Sequence, residues 1–302
     1  MPPLFLDEAA VRAALRMEDL IPAIAEALSE LSAGAVPQPV RSVLPVPGQP
    51  GWFGVMPAIY RDIMGAKMVA FYPENGARGL HTHLAMIQIF RTDTGEPLAV
   101  MDGRLITEMR TAAASAVAVK LLAPPEAAVL AILGSGIQAR SHLEALGLVR
   151  KFREIRCWSR TATHAQALAA EENIVAMDSA EAAVRGADVV LTLTSSAEPI
   201  LRGEWLGPRS CVIAVGAVGP TRRELDTEAV RGASVIVESR AAAVLESGDI
   251  LLAGASVYAE IGELLTGKVP VPAAGRVVYK SLGVAVEDLA AARLVLQKQK
   301  KA

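Results

Sequence analysis

The sequence predicts an α/β protein built around a doubly wound parallel sheet, with a smaller region of helix and strand before it. Three observations support this class. The chain has 302 residues, about twice a typical domain, so it is long enough for two. From Pro124 onward, short runs of Val, Ile and Leu alternate with helical stretches, as in sheets covered by helices on both faces. Aromatic residues make up only 4% of the chain, and the small aliphatic residues that dominate it suit close packing of helices on a sheet.

The first third of the chain is predicted to be helical and then extended. Apolar residues recur at helical spacing between Leu20 and Leu31, and Gly34 follows as a C-cap. Prolines clustered between residues 37 and 50 exclude a long helix there. The turn at residues 92–95 lies between two apolar runs and predicts an antiparallel hairpin. Three strands and an Ala-rich helix are predicted at residues 67–72, 85–90, 97–101 and 107–122.

The remainder alternates regularly between strand and helix. Strands are predicted at residues 129–133, 155–159, 174–176, 188–194, 210–215 and 234–237. Helices are predicted within 134–147 and at 162–170, 180–185, 226–230, 240–246 and 286–299. This spacing is typical of a doubly wound parallel sheet.

Composition excludes several classes of function. The 30 basic and 32 acidic residues leave no basic surface for nucleic acid and no polybasic membrane anchor. Two cysteines, Cys157 and Cys211, cannot form a disulfide framework, and both lie in predicted core strands. Acidic residues within the first twenty positions do not fit a signal peptide, and no apolar run could span a bilayer. We therefore expect a cytoplasmic protein that binds neither nucleic acid nor membrane.

The sharpest local motif is Gly134-Ser135-Gly136-Ile137-Gln138-Ala139, which follows a predicted strand and opens a predicted helix. Glycines in this position let the backbone turn tightly and approach a pyrophosphate, whose charge lies on the helix N-terminus. A plain strand-to-helix turn is the alternative interpretation. The strand–turn–helix context favours dinucleotide binding.

The end of the next predicted strand indicates which dinucleotide is bound. An acidic residue there would accept the ribose hydroxyls of NAD. This chain instead has Ser159, Arg160 and Thr161, a cation between two hydroxyls. Arginine can bind a 2′-phosphate in a bidentate manner, so NADPH or NADP+ is expected rather than NADH. The alternative is an arginine in a loop facing solvent.

Three cations occupy unusual positions in the first part of the chain. Arg41 follows Gln38-Pro39-Val40, Lys67 lies within an apolar strand, and Arg110 precedes Thr111 in the Ala-rich helix. A lone lysine in a strand is commonly an edge residue turned to water. Three such cations beside a nucleotide domain instead suggest a clamp for a substrate carboxylate.

Asp226 and the histidines allow two interpretations each. Asp226 either caps the helix that follows it or projects from the carboxyl edge of the sheet, where ligands of such folds bind. His81 and His83 could share one face of a strand, but no third ligand with suitable spacing is evident. No metal site is predicted.

Taken together, the sequence resembles the ornithine cyclodeaminase/mu-crystallin family almost from end to end. The matching stretches lie in a conserved order along both predicted regions. They are Gln38-Pro39-Val40-Arg41, Gly54-Val55-Met56-Pro57-Ala58, Ala99-Val100-Met101-Asp102-Gly103, Arg110-Thr111-Ala112-Ala113, the glycine motif at 134–139, Glu198-Pro199-Ile200, Gly203-Glu204-Trp205, Arg223-Glu224-Leu225-Asp226, Glu246-Ser247-Gly248-Asp249 and Lys280-Ser281-Leu282-Gly283. So many ordered matches are more specific than any single motif.

The resemblance implies a Rossmann domain at residues 119–285 and an α+β dimerisation and substrate domain built from both chain ends, residues 1–118 and 286–302. It implies a homodimer that pairs through a shared β-barrel. Arg41, Lys67 and Arg110 would hold the substrate carboxylate, with Lys67 and Asp226 as catalytic residues near the reacting carbon and nitrogen. The full set expected to bind the cofactor is Thr82, His83, Arg110, Thr111, Gly134, Gly136, Ile137, Gln138, Ser159, Arg160, Thr161, Thr194, Val215, Ser281 and Leu282.

The family includes cyclodeaminases, alanine dehydrogenases and ketimine reductases. The cyclodeaminases resemble NAD enzymes, with an acid in the region of Ser159 and Arg160, and carry a glutamate near the position of Gly54. Both departures favour NADPH-dependent reduction of cyclic ketimine carboxylates, such as Δ1-piperideine-2-carboxylate and Δ1-pyrroline-2-carboxylate, to L-amino acids. The alternatives are an amino-acid dehydrogenase or reductive aminase, an iminosuccinate reductase, an ornithine cyclodeaminase, and an NADPH-dependent protein that binds a small ligand. Residues Met56, Phe71 and His81 are candidates for the pocket wall that determines which of these substrates is bound.

Overall fold

A computed structural model describes residues 2–299 and divides them into two compact units. The first unit comprises residues 2–111 and 283–299, and the second comprises residues 112–282. One long helix begins in the first unit and ends in the second. The division of the chain by function at residues 118 and 286 stays a prediction.

The first part of the chain forms helices and a mostly antiparallel sheet. Its elements are β1 (Leu4–Leu6), α1 (Glu8–Ala14), α2 (Met17–Ser32), β2 (Ser42–Pro45), β3 (Trp52–Tyr60), β4 (Ile63–Phe71), β5 (His83–Arg91), β6 (Pro97–Asp102) and α3 (Gly103–Leu122). The predicted hairpin is confirmed, because β5 and β6 pair antiparallel and Gly95 adopts a φ of 73° in the turn.

The second part of the chain alternates between strand and helix, as predicted. Its elements are β7 (Val129–Leu133), α4 (Ile137–Val149), β8 (Glu154–Trp158), α5 (Ala162–Glu172), β9 (Val175–Ala176), α6 (Ala180–Val184), β10 (Val189–Thr192), β11 (Cys211–Ala214), α7 (Thr227–Val230), β12 (Ser234–Val237), α8 (Arg240–Glu246), α9 (Gly248–Leu251), β13 (Val257–Glu260), α10 (Ile261–Leu265), β14 (Val277–Lys280) and α11 (Ala285–Gln299). The last of these, α11, belongs to the first unit.

The sheet of the first unit has six strands in the order β1-β6-β5-β4-β3-β2. All neighbouring strands are antiparallel except β1 and β6. Its inner face packs against α11, which also packs against α2. The sequence analysis did not predict β3, in which Gly54 and Pro57 weaken the strand pattern. Pro57 is tolerated because β2 pairs with β3 only between residues 52 and 55.

The outer face of this sheet is apolar and exposed. Met86 and Leu84 on β5 are 45% and 42% exposed, and Phe53 and Ile59 on β3 are exposed to a similar degree. Strand register aligns Phe53 and Leu84 on either side of one β4 residue, so their side chains belong to one continuous face. Such an uncovered apolar face is typical of an interaction surface.

The second unit is a doubly wound sheet of eight parallel strands in the order β13-β12-β14-β11-β10-β7-β8-β9. The predicted fold class is therefore confirmed. Chain order reverses between β7 and β10, and this switch point is where such sheets bind ligands. Cys157 and Cys211 are fully buried in β8 and β11, as expected for core residues. Within residues 2–299, no helix combines the length and apolarity needed to cross a membrane.

Candidate active site

Three cations and two carboxylates form a buried cluster in the first unit. The Nζ atom of Lys67 lies 2.9 Å from Oδ1 and 2.8 Å from Oδ2 of Asp288. Arg110 donates from Nε to Oδ1 of Asp288 at 3.1 Å and from Nη1 to Oε2 of Glu287 at 2.9 Å. Every one of these four side chains is at most 6% exposed. Together with Arg41 they are called the clamp cluster below.

Lys67 lies in the interior of the sheet rather than at its edge. It occupies the middle of β4, where its backbone neighbours are Met56 on β3 and Ile87 on β5. The interpretation of Lys67 as an edge residue turned to water is therefore wrong. Burial lowers the pKa of Lys67 to about 8, since Arg110 adds repulsion and Asp288 offsets only part of the effect. An amine with this pKa can release a proton near neutral pH.

Gly283 connects two arginines of the clamp cluster. Its carbonyl accepts a 2.7 Å hydrogen bond from Nη2 of Arg41. Its φ is +72°, and a Cβ atom at this position would lie 2.4 Å from Nη1 of Arg110. Glycine is required here for the left-handed backbone and for the space that the Arg110 guanidinium occupies.

Charge in the clamp cluster does not balance. Its five named side chains comprise three cations and two carboxylates, so cations outnumber carboxylates by one among them while Lys67 is protonated. Burial raises the free-energy cost of an uncompensated charge. The cluster is therefore suited to bind one further anion, such as a substrate carboxylate.

The other residues predicted in this unit have mixed surroundings. His83 begins β5, and burial together with two nearby cations lowers its pKa to about 4, so the ring is neutral at pH 7. Thr111 is buried, and its hydroxyl donates to the Thr107 carbonyl at 2.6 Å. Thr82 lies just before the strand, and its carbonyl accepts from the Tyr72 amide at 2.9 Å.

The three candidate wall residues are dispersed. Met56 is buried and pairs with Lys67 across the sheet. Phe71 lies at the end of β4 and stacks on Trp52, with ring centroids 5.5 Å apart. His81 is exposed and precedes β5, so it does not share a strand face with His83 as the sequence suggested.

The sequence analysis missed Glu287 and Asp288. Acidic residues in the first turn of a helix normally face solvent and favour the helix dipole, which is why they attracted no attention. Their position within the apolar stretch 284–292 could have indicated that they are buried, because acids exposed to solvent are not expected in such a stretch. Both carboxylates are buried.

In the second unit, the glycine motif forms the expected turn between β7 and α4. Gly134 has a φ of 123°, and a Cβ there would lie 2.7 Å from the Leu193 carbonyl oxygen. Gly136 is the N-cap of α4 and has open space around it, with no side chain capping the helix. Ile137 is half exposed, and Oε1 of Gln138 is buried with no hydrogen-bond partner within residues 2–299. The backbone amides at the start of α4 and the open space at Gly136 fit a phosphate group.

The arginine motif lies directly beside this turn. The Gly134 amide donates to the Trp158 carbonyl at the end of β8, at 2.8 Å. Ser159, Arg160 and Thr161 follow immediately, and Arg160 is exposed. Thr161 is the N-cap of α5, and its side chain makes no capping hydrogen bond.

Buried Glu224 joins the ends of β10 and β11. Its carboxylate accepts from the amide and hydroxyl of Thr194, from the Thr192 hydroxyl, and from the amides of Gly216 and Ala217, at 2.7 to 3.1 Å. Burial raises the pKa of Glu224, although Lys280 and the Thr194 donors oppose that rise. One carboxylate thus holds together the ends of β10 and β11, both of which are predicted from the sequence to contact the cofactor.

Glu238 fixes the end of β14 in a similar way, by accepting hydrogen bonds. It accepts from the Ser281 hydroxyl at 2.8 Å, the Leu282 amide at 2.7 Å and the Tyr279 hydroxyl at 3.1 Å. Ser281 and Leu282 are themselves buried. Val215 follows β11 and its amide donates to the last residue of β10 at 3.0 Å.

Asp249 and Lys280 complete this network. Asp249 accepts from the amides of Glu224 and Leu225 at 2.8 and 2.9 Å, and its Oδ2 lies 3.0 Å from Nζ of Lys280. The same amine donates to the Ala217 carbonyl at 2.5 Å. The buried side chains of Glu224, Glu238, Asp249 and Lys280 are called the scaffold cluster below.

Asp226 caps a helix through one of its carboxylate oxygens. Its Oδ1 accepts from the Ala229 amide of α7 at 2.7 Å and from the Gly203 amide at 3.0 Å. The Gly203 carbonyl in turn accepts from Arg276, which directly precedes β14 and so marks the amino ends of the strands. These contacts support the capping interpretation of Asp226, and its catalytic role stays a prediction.

Comparison with known proteins assigns the chain to a family. The model of the ornithine cyclodeaminase/mu-crystallin family matches residues 1–302. The chain belongs to the ornithine cyclodeaminase/mu-crystallin family. It is 46% identical over 301 residues to the ketimine reductase mu-crystallin of Mus musculus, covering 97% of this chain and 96% of that protein. The resemblance inferred from the sequence motifs is thus confirmed.

Two solved structures share the fold of this chain. The Δ1-pyrroline-2-carboxylate reductase of Thermococcus litoralis, in complex with NADH and L-proline, matches with a TM-score of 0.94 and 31% identity, covering 99% of this chain and 98% of that one. An archaeal alanine dehydrogenase dimer with bound NAD matches with a TM-score of 0.94 and 30% identity, covering 100% and 98%. In the present chain, motifs 246–249 and 280–283 supply Asp249 and Lys280 of the scaffold cluster, together with Gly283, which accepts a hydrogen bond from Arg41 of the clamp cluster. No group of three His, Cys, Asp or Glu side chains that could hold a metal occurs among the described residues.

Proposed function

We propose that this chain is a pyridine-nucleotide-dependent oxidoreductase that reduces cyclic ketimine carboxylates to L-amino acids, with NADPH preferred over NADH. The observation that carries the proposal is the excess positive charge of the buried clamp cluster. The similarity to the mouse ketimine reductase and to the Thermococcus pyrroline-2-carboxylate reductase supports the choice of a C=N substrate. Cyclic ketimine carboxylates carry one carboxylate directly beside the C=N bond, which matches a cluster short of one anion.

Arg41 and Arg110 bind the substrate carboxylate in this proposal. Their guanidinium groups are fixed by Gly283 and Glu287, so little side-chain entropy is lost when the anion binds. A carboxylate held in this way orients the adjacent imine carbon, which is the positioning contribution to catalysis.

Lys67 acts as the proton donor to the imine nitrogen. Its pKa of about 8 keeps it protonated at neutral pH yet makes it a much stronger acid than an ordinary lysine. A protonated imine is the more electrophilic form, so proton transfer promotes reduction at carbon. Asp226 is assigned no part in this step, because its Oδ1 accepts from the amides of Ala229 and Gly203.

The second unit binds the nucleotide in this proposal. When bound, the reduced nicotinamide supplies the hydride equivalent for the imine carbon. The Gly136 cap and the open space beside it fit a pyrophosphate. Ser159, Arg160 and Thr161 would bind the 2′-phosphate, and Glu224 and Glu238 hold the strand-end loops in place.

A substrate panel tests the reaction. Oxidation of NADPH and of NADH is followed by absorbance with both cyclic ketimines, with iminosuccinate, and with pyruvate plus ammonia. We expect rapid NADPH oxidation with a cyclic ketimine and slower oxidation of NADH. Activity only with pyruvate and ammonia would favour an amino-acid dehydrogenase. Release of ammonia from ornithine would favour a cyclodeaminase, and binding of NADPH without turnover would favour a ligand-binding protein.

Nucleotide selectivity is tested separately with Arg160→Ala. Loss of a charged hydrogen bond to the 2′-phosphate is worth about 1.5–3 kcal/mol, so the KM for NADPH should rise about 10- to 100-fold. The KM for NADH should stay within about twofold. Arg209→Ala, which removes an exposed arginine paired with Glu126, is the control. An unchanged preference in Arg160→Ala would contradict the role of this residue.

A homodimer formed through the outer face of the six-stranded sheet completes the proposal. The exposed apolar row that includes Phe53, Leu84 and Met86 supports it, as does the dimer of the archaeal relative. Met86→Asp would place a charge in that interface and should give a monomer by sedimentation. Leu251→Asp, at an equally exposed site in the second unit, should leave the mass unchanged. A dimeric Met86→Asp protein would exclude this face.

A further inference from the structure

Asp288 contacts two members of the clamp cluster at once. It lies in the first turn of α11 and is 1% exposed, with both oxygens within 3 Å of the Lys67 amine and Oδ1 also accepting from Arg110. Glu287, one residue earlier on the same turn, contacts Arg110 but makes no ion pair with Lys67. The two adjacent carboxylates therefore pair with different cations: Asp288 with Lys67 and Arg110, and Glu287 with Arg110.

The titratable groups around Lys67 come from α3, the segment before β2, β5 and α11. Arg110 on α3 and Arg41 before β2 disfavour a protonated amine, and His83 on β5 is neutral. On β3 and β5 its backbone neighbours, Met56 and Ile87, are apolar and buried. Within the described chain, Asp288 is the carboxylate in ion-pair contact with the amine and offsets these unfavourable neighbours.

We propose that Asp288 is a positioning residue that keeps the Lys67 amine protonated and directed for proton donation. This inference rests on the proposed function, since it assigns the support of the same proton donor. Asp288 does not itself touch the substrate in this scheme. It acts through Lys67, whereas Glu287 acts through Arg110 on carboxylate binding.

Removal of the Asp288 charge has a predictable direction. Burial and two arginines already lower the pKa of Lys67, and the carboxylate opposes them. An opposite charge at this distance changes a pKa by about 1–3 units. In Asp288→Asn the pKa of Lys67 should therefore fall from about 8 to 7 or below, so the amine loses its proton at lower pH.

The experiment compares pH profiles of kcat with a cyclic ketimine and NADPH. In the parent protein kcat should decline as pH rises above about 8, when Lys67 loses its proton. In Asp288→Asn the decline should begin at least about one unit lower, with most activity retained at mildly acidic pH. Asp288→Glu, which restores the charge, should return the profile toward that of the parent. A structural role alone would lower kcat at every pH without moving the decline.

Two variants on neighbouring positions sharpen the comparison. Glu287→Gln should raise the KM for the ketimine while leaving the pH of the decline unchanged. Asp62→Asn removes the partner of Arg293, at 2.6 Å on the exposed side of α11, and should match the parent in both respects. If Asp288→Asn does not fold, Asp288→Ser supplies the test, because it also removes the charge beside the Lys67 amine.

A direct titration makes failure of this inference distinguishable from failure of the proposed function. The Lys67 side chain is observed by NMR in lysine-labelled protein and assigned with Lys67→Arg. Its pKa should fall by about one unit or more in Asp288→Asn, whether or not any imine is reduced. An unchanged Lys67 titration and pH profile in Asp288→Asn would overturn the inference. An inactive parent protein with a shifted titration would overturn only the proposed function.

Discussion

The clamp cluster and the scaffold cluster both bury several charges, but they use them differently. In the scaffold cluster, Glu224, Glu238 and Asp249 accept chiefly from backbone amides and neutral hydroxyls. In the clamp cluster, Glu287 and Asp288 pair with side-chain cations. A carboxylate bound by backbone amides fixes a loop, whereas a cation network with one charge in excess can accept a ligand. Burial of a charge alone therefore does not identify an active site.

The largest effect that separates the clusters is expected in Lys67→Met. Loss of a proton donor costs about 10²–10⁴-fold in kcat. The protein should remain folded, since Asp288 retains its contact with Arg110. Turnover of a cyclic ketimine and thermal unfolding are measured together, with Lys120→Met at an exposed position of α3 as the control. Near-normal turnover would remove Lys67 from the mechanism.

The matching change in the scaffold cluster is Lys280→Met. Removing one partner of a buried ion pair costs about 3–5 kcal/mol, because Asp249 would keep a buried charge without its cation. The free energy of unfolding should fall by that amount in denaturant titration, while kcat of the remaining folded protein changes less than in Lys67→Met. Lys268→Met removes an exposed partner of Glu263, which keeps its ion pair with Arg240, and should lose no more than about 1 kcal/mol. A stable but inactive Lys280→Met protein would contradict the assignment of a stabilising role to the scaffold cluster and a catalytic role to the clamp cluster.

Gly283→Ala tests how finely the clamp is positioned. A Cβ would displace the Arg110 guanidinium, which should raise the KM for the ketimine about tenfold or more through a weakened charged contact. Gly275→Ala is the matched control, since Gly275 has a φ of +86° but open space around it. Both variants share the cost of a left-handed backbone, about 1 kcal/mol. Equal KM values in the two would show that Arg110 adjusts freely.

The smallest effect is expected in Asp226→Ala. Loss of an N-cap costs about 1 kcal/mol of stability. Since the carboxylate is used in capping, kcat should stay within about twofold of the parent. Ser179→Ala removes the cap of α6 and should be destabilised similarly. A loss of turnover much beyond that of Ser179→Ala would return Asp226 to the mechanism.

Several candidate site residues could be proposed from the sequence because the turns that carry them are local. The turn at Gly134–Gly136 depends on backbone freedom at the junction of one strand and one helix. The local sequence pattern predicts both the strand and the helix. The motif around Arg160 was found in the same way, as the end of the next strand. Asp226 was ambiguous because a capping carboxylate and an exposed ligand carboxylate have the same local sequence.

The sequence by itself determined the doubly wound sheet, the nucleotide motif and the family, since hydrophobic periodicity and turn chemistry are encoded within short segments. Only the tertiary structure decided which buried charges meet. Lys67 and Asp288 are 221 positions apart, and Arg110 and Glu287 are 177 apart. No local periodicity specifies such pairs. They form because the return of α11 to the first sheet buries acids and cations together, and a buried charge is stable only with a partner.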